Sequence, residues 1–138
     1  MTSVGAILIV LDADDDCPVE VGTRILAWAN QARNDLPIGV VIANREYEAW
    51  FLAAAQSLQG HRGLPVDLAA PSEPESVRGA KEWLSRYMRC GQPYAPTRHQ
   101  ASFSAQIDLE LARQNSRSFR KLDKEVRRLV EAIRQPEA

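Results

Sequence analysis

No apolar run in this chain approaches the roughly 20 residues that a membrane-spanning helix needs, so the sequence predicts no spanning helix. Met1 to Gly5 places no basic residue ahead of the first apolar run, and that run ends in acids, which argues against a secretory signal peptide. Cysteine is scarce. Cys17 and Cys90 lie far apart, match no zinc spacing, and fit a reducing cytoplasm, where the chain is expected. There is no G-x-G-x-x-G and no P-loop, which removes nucleotide binding by those routes. Internal repeats and low-complexity segments are also missing.

What is present is enough for one domain. With 138 residues and ordinary apolar and charged fractions, the chain can bury a single core. Val4 to Leu11 (VGAILIVL) is a continuous aliphatic run, too short for a helix core, and it reads as a strand buried on both faces. Pro18 permits a helix start. Val21, Ile25, Trp28, Ala29, Ala32 and Leu36 then recur at helical spacing from about Glu20 to Asp35, and Pro37 stops the pattern. Ile38 to Ala43 (IGVVIA) is a second buried strand, so the opening is a βαβ unit with parallel strands, over about residues 4–58.

A helical part follows, over about residues 72–135. A helix near Arg45 carries Tyr47, Trp50, Phe51, Ala54 and Leu58, and Gln59 to Pro71 is a loop. Ser72 with Glu75 forms a capping box for a helix running to Met88, and Arg89 to Arg98 is another loop. Short helices span His99 to Gln106 and Leu109 to Gln114, the second capped by Asp108. Ser116 or Ser118 caps a last helix to about Gln135, with the stripe Phe119, Leu122, Val126, Leu129, Val130 and Ile133. Trp28, Trp50 and Trp83 read as core, and His61 and His99 as surface or loop residues. The fold class is therefore α/β, a short parallel sheet with helices packed on it. Two parallel strands are not a stable sheet by themselves, so their missing neighbours must come from another chain, from weakly signalled segments or from a region outside this one.

The residues that could carry chemistry gather where the strands end. Asp12, Asp14, Asp15 and Asp16 follow the first strand. If the strand persists, Asp12 and Asp14 project to the same side, at the edge where open α/β sheets bind ligands. Close carboxylates repel one another unless a cation or a raised pKa relieves them, and magnesium suits such a pair. The bland reading is an acidic loop serving the next helix, Asp16 above all. Arg45, Glu46 and Glu48 follow the second strand. A glutamate there can complete a metal site or position water, and Arg45 can hold a phosphate, although acids also belong in any first helical turn. Lys81 falls inside the apolar arc of Val77, Ala80, Leu84, Tyr87 and Met88 at ~100° per residue, and a lysine aimed inward needs either an acidic partner or a path to solvent. Charge is uneven. Met1 to Trp50 has eight acids against three bases, whereas Arg113 to Arg134 has eight bases against three acids, which suits either a polyanion-binding surface or a solvated helix face. Cys17 sits near a helix start with no base nearby and is not read as a nucleophile.

Three segments, LIVLDADDDCP (Leu8 to Pro18), ANREYEAWFLA (Ala43 to Ala53) and RGAKEWLSRYM (Arg78 to Met88), resemble a bacterial Toprim-like family catalogued as domain of unknown function four-two-seven-six. The similarity runs on through Tyr94 and the Ser116 to Phe119 region. The resemblance implies a Toprim-type fold related to the nuclease domain of OLD-family endonucleases, with magnesium or manganese held by Asp12 and Asp14. It further implies a catalytic glutamate at Glu46 or Glu48, a catalytic lysine at Lys81, and an AAA-type ATPase partner in a phage-defence setting. Arg45, Arg120, Lys124 and Arg127 would then contact DNA, in a homo- or hetero-oligomer. A Toprim domain normally opens with a strand ending in an essential glutamate, upstream of the Asp-x-Asp, and this sequence starts at the Asp-x-Asp strand. The expectation is a partial Toprim-like fold: a fragment, a chain that borrows its glutamate, or one that has lost catalysis. The functions that follow are a metal-dependent DNA nuclease subunit, a non-catalytic interaction or assembly module, or, more remotely, phosphotransfer on another nucleotide substrate.

Overall fold

The computed structural model describes residues 5–88 and 92–134, so Val4, Cys90 and Gln135 lie outside the described residues. Strand β1 (Ile7–Asp12) pairs in parallel with β2 (Ile38–Ala43), in register from Ile7 opposite Ile38 to Asp12 opposite Ala43. Helix α1 (Pro18–Ala32) makes the crossover. The βαβ reading of the sequence therefore holds, but the burial of the two strands differs. Every residue of β2 is buried. On one face its Ile38, Val40 and Ile42 meet Val21, Ile25 and Ala29 of α1. On the other, helix α6 (Arg117–Arg134) lies close because Gly39 has no side chain. A Cβ there would sit 2.9 Å from Glu125 Oε2 and 3.1 Å from Leu129 Cδ1.

β1 is not buried on both faces as its composition suggested. Leu8 and Leu11 are 37% and 42% exposed, because among the described residues β1 is flanked by β2 on one side only and α6 stacks over β2 rather than over β1. The same cause leaves α1 without a fully buried residue, and Trp28, expected in the core, is 58% exposed.

The helical part builds the larger core. α2 (Ala49–Ala53) continues into a 3₁₀ turn at Ala55–Leu58, and all of α2 is buried. α3 (Ala80–Tyr87), a π-helical turn at Pro96–Gln100, α4 (Ala101–Gln106) and α5 (Leu109–Asn115) surround it. Phe51, Leu52, Leu58, Leu84 and Phe103 are sealed from solvent together. Each such side chain contributes about 1.5–3 kcal/mol by leaving water. Asp108 caps α5 by accepting the Glu110 and Leu111 amides, and Ser116 caps α6 by accepting the Phe119 amide at 3.1 Å.

Two expected helices are shorter than the periodicity suggested. The one near Arg45 begins only at Ala49, because Arg45 takes a left-handed conformation (φ 66°). The one from Ser72 begins only at Ala80, because Gly79 is also left-handed (φ 71°) and Pro74 opens a separate 3₁₀ turn. The capping box does not form. Glu75 instead accepts hydrogen bonds from Ser116 Oγ, Ser118 Oγ and the Ser118 amide (2.7 Å), which ties the loop to the start of α6. His99 is buried, not a surface residue. Its ring stacks on Tyr94, and its Nδ1 accepts the Ala95 amide. Among the described residues no helix is long and apolar enough to cross a membrane.

Candidate functional site

The parallel pair ends at Asp12 and Ala43, and there the two chains remain joined. The Ala13 amide donates to the Ala43 carbonyl (2.9 Å) and the Asp14 amide to the Arg45 carbonyl (2.8 Å). Asp14 (φ 52°) and Arg45 are both left-handed, which costs about 1 kcal/mol or more for a residue with a side chain. The strand therefore does not persist to Asp14. A turn closed by the Asp16 amide on the Ala13 carbonyl (2.9 Å) redirects it, so the same-side projection of Asp12 and Asp14 expected from an extended chain is not kept. Asp14 is exposed, but its charge still adds to the field on Asp12. Asp15 has a structural partner set: Arg78 at 3.1 Å and Arg45 at 3.4 Å.

Asp12 lies beside the residues that follow β2. Its Oδ1 accepts the Tyr47 amide at 2.7 Å. Partial burial raises the Asp12 pKa above the ordinary carboxylate value, the nearby Glu48 and Asp14 charges push the same way, and the Tyr47 amide and Lys81 only partly oppose this. Close carboxylates in a partly dry site behave in this way when no cation relieves them.

Lys81, in the first turn of α3, supplies the one positive charge inside this group. Its Nζ donates to Glu46 Oε1 (2.9 Å) and lies 3.4 Å from Glu48 Oε2. Burial works against the ammonium, but the hydrogen bond to Glu46 and the charges of both glutamates outweigh it, so the Lys81 pKa rises. Glu46 is committed on both oxygens, since Oε2 accepts the Ala80 amide at 2.7 Å and anchors the start of α3. Glu48 differs. It is 1% exposed, and its Oε1 accepts Tyr94 Oη and Gln100 Nε2, both at 3.1 Å. Among the described residues its buried Oε2 has no hydrogen-bond partner and pairs with Lys81 at 3.4 Å. Burial, then the charge of Glu48 and its hydrogen bond, keep the Tyr94 phenol protonated far above its ordinary range.

The structure thus brings Asp12, Glu46, Glu48 and Lys81 together and leaves Asp14 at the rim. Sequence reasoning did not find Tyr94 and Gln100 as the partners of Glu48. They come from a proline-flanked segment and a π-helical turn, neither of which carries a periodic signal. Arg45 sits at the edge of the site, held by Asp15. Arg120, Lys124 and Arg127 share the exposed face of α6 by their spacing. Arg120 is already spent on the Arg113 and Gln114 carbonyls and Arg127 on Asp123, and among the described residues no hydrogen bond or ion pair joins these three to the Asp12–Lys81 group.

A small divalent metal fits this chemistry in kind. The donors are hard oxygens, and magnesium needs only one or two protein carboxylates, with water and substrate oxygens completing its shell. Glu48 Oε2, buried and without a hydrogen bond among the described residues, lies in the group and is ion-paired with Lys81. Among the described residues, however, no group of three or more His, Cys, Asp or Glu is arranged to hold a metal ion.

The fold and site define an α/β protein with a lysine-bridged carboxylate site at the carboxyl end of a parallel strand pair. The chain belongs to the family described as Domain of unknown function (DUF4276), which it matches over residues 3–127. No curated protein matches it, and no solved structure does.

Proposed function

We propose that this chain carries a divalent-metal-dependent, Toprim-like site for phosphodiester hydrolysis on DNA. The single observation behind the proposal is the convergence of Asp12, Glu48 and Lys81 at the carboxyl end of the strands, with one buried Glu48 oxygen left without a hydrogen bond. Asp12 and Asp14 would hold magnesium or manganese, and the ion when bound supplies charge neutralisation at a phosphoryl oxygen. Lys81 adds a fixed positive charge for the negative charge that develops on the phosphate. Glu48, fixed through Oε1 by Tyr94 and Gln100, turns Oε2 toward the site and orients a water. Glu46 positions Lys81 rather than acting itself, since both of its oxygens are taken.

Arg45, Arg120, Lys124 and Arg127 are the proposed backbone contacts, which makes binding salt-sensitive. An AAA-type ATPase in a phage-defence setting is the proposed partner, within an oligomer in the cytoplasm. A plasmid-nicking assay with magnesium or manganese, alone and with the ATPase, tests this reading. Nicking abolished by Asp12→Asn and by Asp14→Ala is expected, and nicking that survives Asp14→Ala refutes the metal assignment. The open edge of β1 favours a second reading, a non-catalytic assembly module, in which both variants leave the protein's interactions intact and no nicking occurs with either metal.

A further inference from the structure

Among the described residues the side of β1 away from β2 pairs with no strand. Ile7 donates its amide to the Pro37 carbonyl and Ala13 to the Ala43 carbonyl. In a parallel pair alternate residues face the partner, so Leu8, Val10 and Asp12 turn their N–H and C=O groups away from β2. Among the described residues no hydrogen bond takes up these groups. Sheet edges are normally blunted by lysine, proline or a bulge, and Leu8 to Leu11 offers none of these.

Apolar surface overhangs this edge from both faces. On α1, Gly22 meets Ile42 of β2, with a Cβ position 3.5 Å from it. Helical spacing then puts Trp28 on the opposite flank, above the open side of β1, where it is 58% exposed. On α6, Glu125 and Leu129 meet Gly39 of β2, so Val126 and Val130, both 39% exposed, lie on the flank toward β1. On the α6 face only, Val10, Leu122 and Val126 form one wall of a groove of about 510 Å³ whose other walls include Tyr47, Ile107, Glu110 and Arg113. What fits the backbone edge of β1 itself is an extended strand that is apolar on both faces. β1 itself meets that description.

Charge selects the direction. The carboxyl end of the sheet carries Asp12, Asp14, Asp15 and Asp16. α6 runs against the strands, with Trp50 Nε1 donating to Ser118 near its start and Arg128 reaching the Ile38 carbonyl at the amino end of β2. It holds seven bases against three acids. Antiparallel pairing lays each acidic end toward Arg127, Arg128 and Arg134 at the amino end of the partner's sheet, whereas parallel pairing would lay one aspartate cluster against the other. From this we infer that two copies of the chain dimerise through β1, antiparallel about a two-fold axis near Ile9, with Leu8 of each copy opposite Val10 of the other. The inference goes beyond the metal-site reading and does not depend on it.

Sedimentation velocity on the full chain between about 5 and 200 μM tests the dimer. Twice the chain mass is expected at the upper end, with Leu8→Lys and Trp28→Glu each raising the dissociation constant tenfold or more. Both sites are exposed, and circular dichroism checks that the fold survives. Residue-resolved amide exchange gives an independent readout. Leu8 and Val10 should gain at least tenfold protection on raising the concentration, while Ile7 and Ile9, already facing β2, should not change. A protein that stays monomeric throughout this range overturns the inference, as does a dimer that both variants leave unchanged.

Discussion

Replacing Lys81 with methionine removes the one cation that, among the described residues, pairs with a carboxylate that is 1% exposed. Methionine keeps much of the aliphatic stem, so the lost packing is small and the cost falls on Glu48 and Glu46. Breaking a buried ion pair by deleting one partner typically costs about 3–5 kcal/mol. The lower figure applies here, because Lys81 keeps 35% of its side chain exposed and water can partly replace it. At a urea m-value of about 2 kcal/mol/M, a loss of about 3 kcal/mol moves the midpoint down by roughly 1.5 M. The penalty should belong to the stranded charge rather than to lysine as such. Glu48→Gln in the Lys81→Met background should therefore recover a large part of it, giving a coupling of about 1–3 kcal/mol in the double-mutant cycle. Urea denaturation at pH 7 of the four proteins measures this. A Lys81→Met loss under about 1 kcal/mol, or additive single and double variants, would refute the account of Glu48 as a buried charge held by Lys81.

Tyr94→Phe removes one of the two donors to Glu48 Oε1 and leaves Gln100 in place, so a loss of about 1.5 kcal/mol is expected in the same denaturation assay, near the lower end for a bond to a charged group. Phe103→Ala empties a site bounded by Phe51, Tyr94 and His99, with ring centroids 5.6, 5.6 and 5.7 Å away, and should cost about 3–5 kcal/mol. Glu75 governs acid sensitivity: burial alone would raise its pKa, but the bonds from Ser116, Ser118 and Asn44 outweigh burial and lower it. A carboxylate lowered on folding stabilises the protein above its unfolded value of about 4.3 and loses that contribution as pH falls through the folded value. Glu75→Gln should therefore be less stable than the wild type at pH 7, and the gap should close below about pH 4 in pH-dependent denaturation.

Much of the fold was readable because it is local. β2 is an aliphatic run with no polar face, Asp108 and Ser116 are caps acting within three residues, and α6 shows its stripe directly. The errors share one cause: composition does not report which neighbours are present. An apolar run reads as buried on both faces whether or not a flanking strand exists, so β1 and Trp28 read as fully buried, whereas the core covers β2 completely and β1 only in part. Glu75 looked like a capping residue until Ser116 and Ser118, more than 40 positions away, claimed its carboxylate.

The site divides along the same line. Lys81 stands out on a helix wheel, because an inward lysine conflicts with its own stripe and the conflict is local. Its partners, Glu46 and Glu48, follow β2 directly in the sequence. The same-side projection of Asp12 and Asp14 holds only if the chain stays extended past the strand, and nothing in Asp-x-Asp announces the left-handed turn at Asp14. That turn has a consequence for the chemistry. With Asp14 redirected by the turn, Asp12 stays near Glu48 and Lys81 as an acid whose pKa is raised, and both aspartates remain exposed. A cation entering this edge can reach either acid, so replacing Asp14 should weaken capture, while replacing Asp12 should also disrupt the fixed geometry around Tyr47. Manganese titration of Asp14→Ala against Asp12→Asn, read by electron paramagnetic resonance, separates the two. Equal affinities in both variants and the wild type would remove both acids from metal binding.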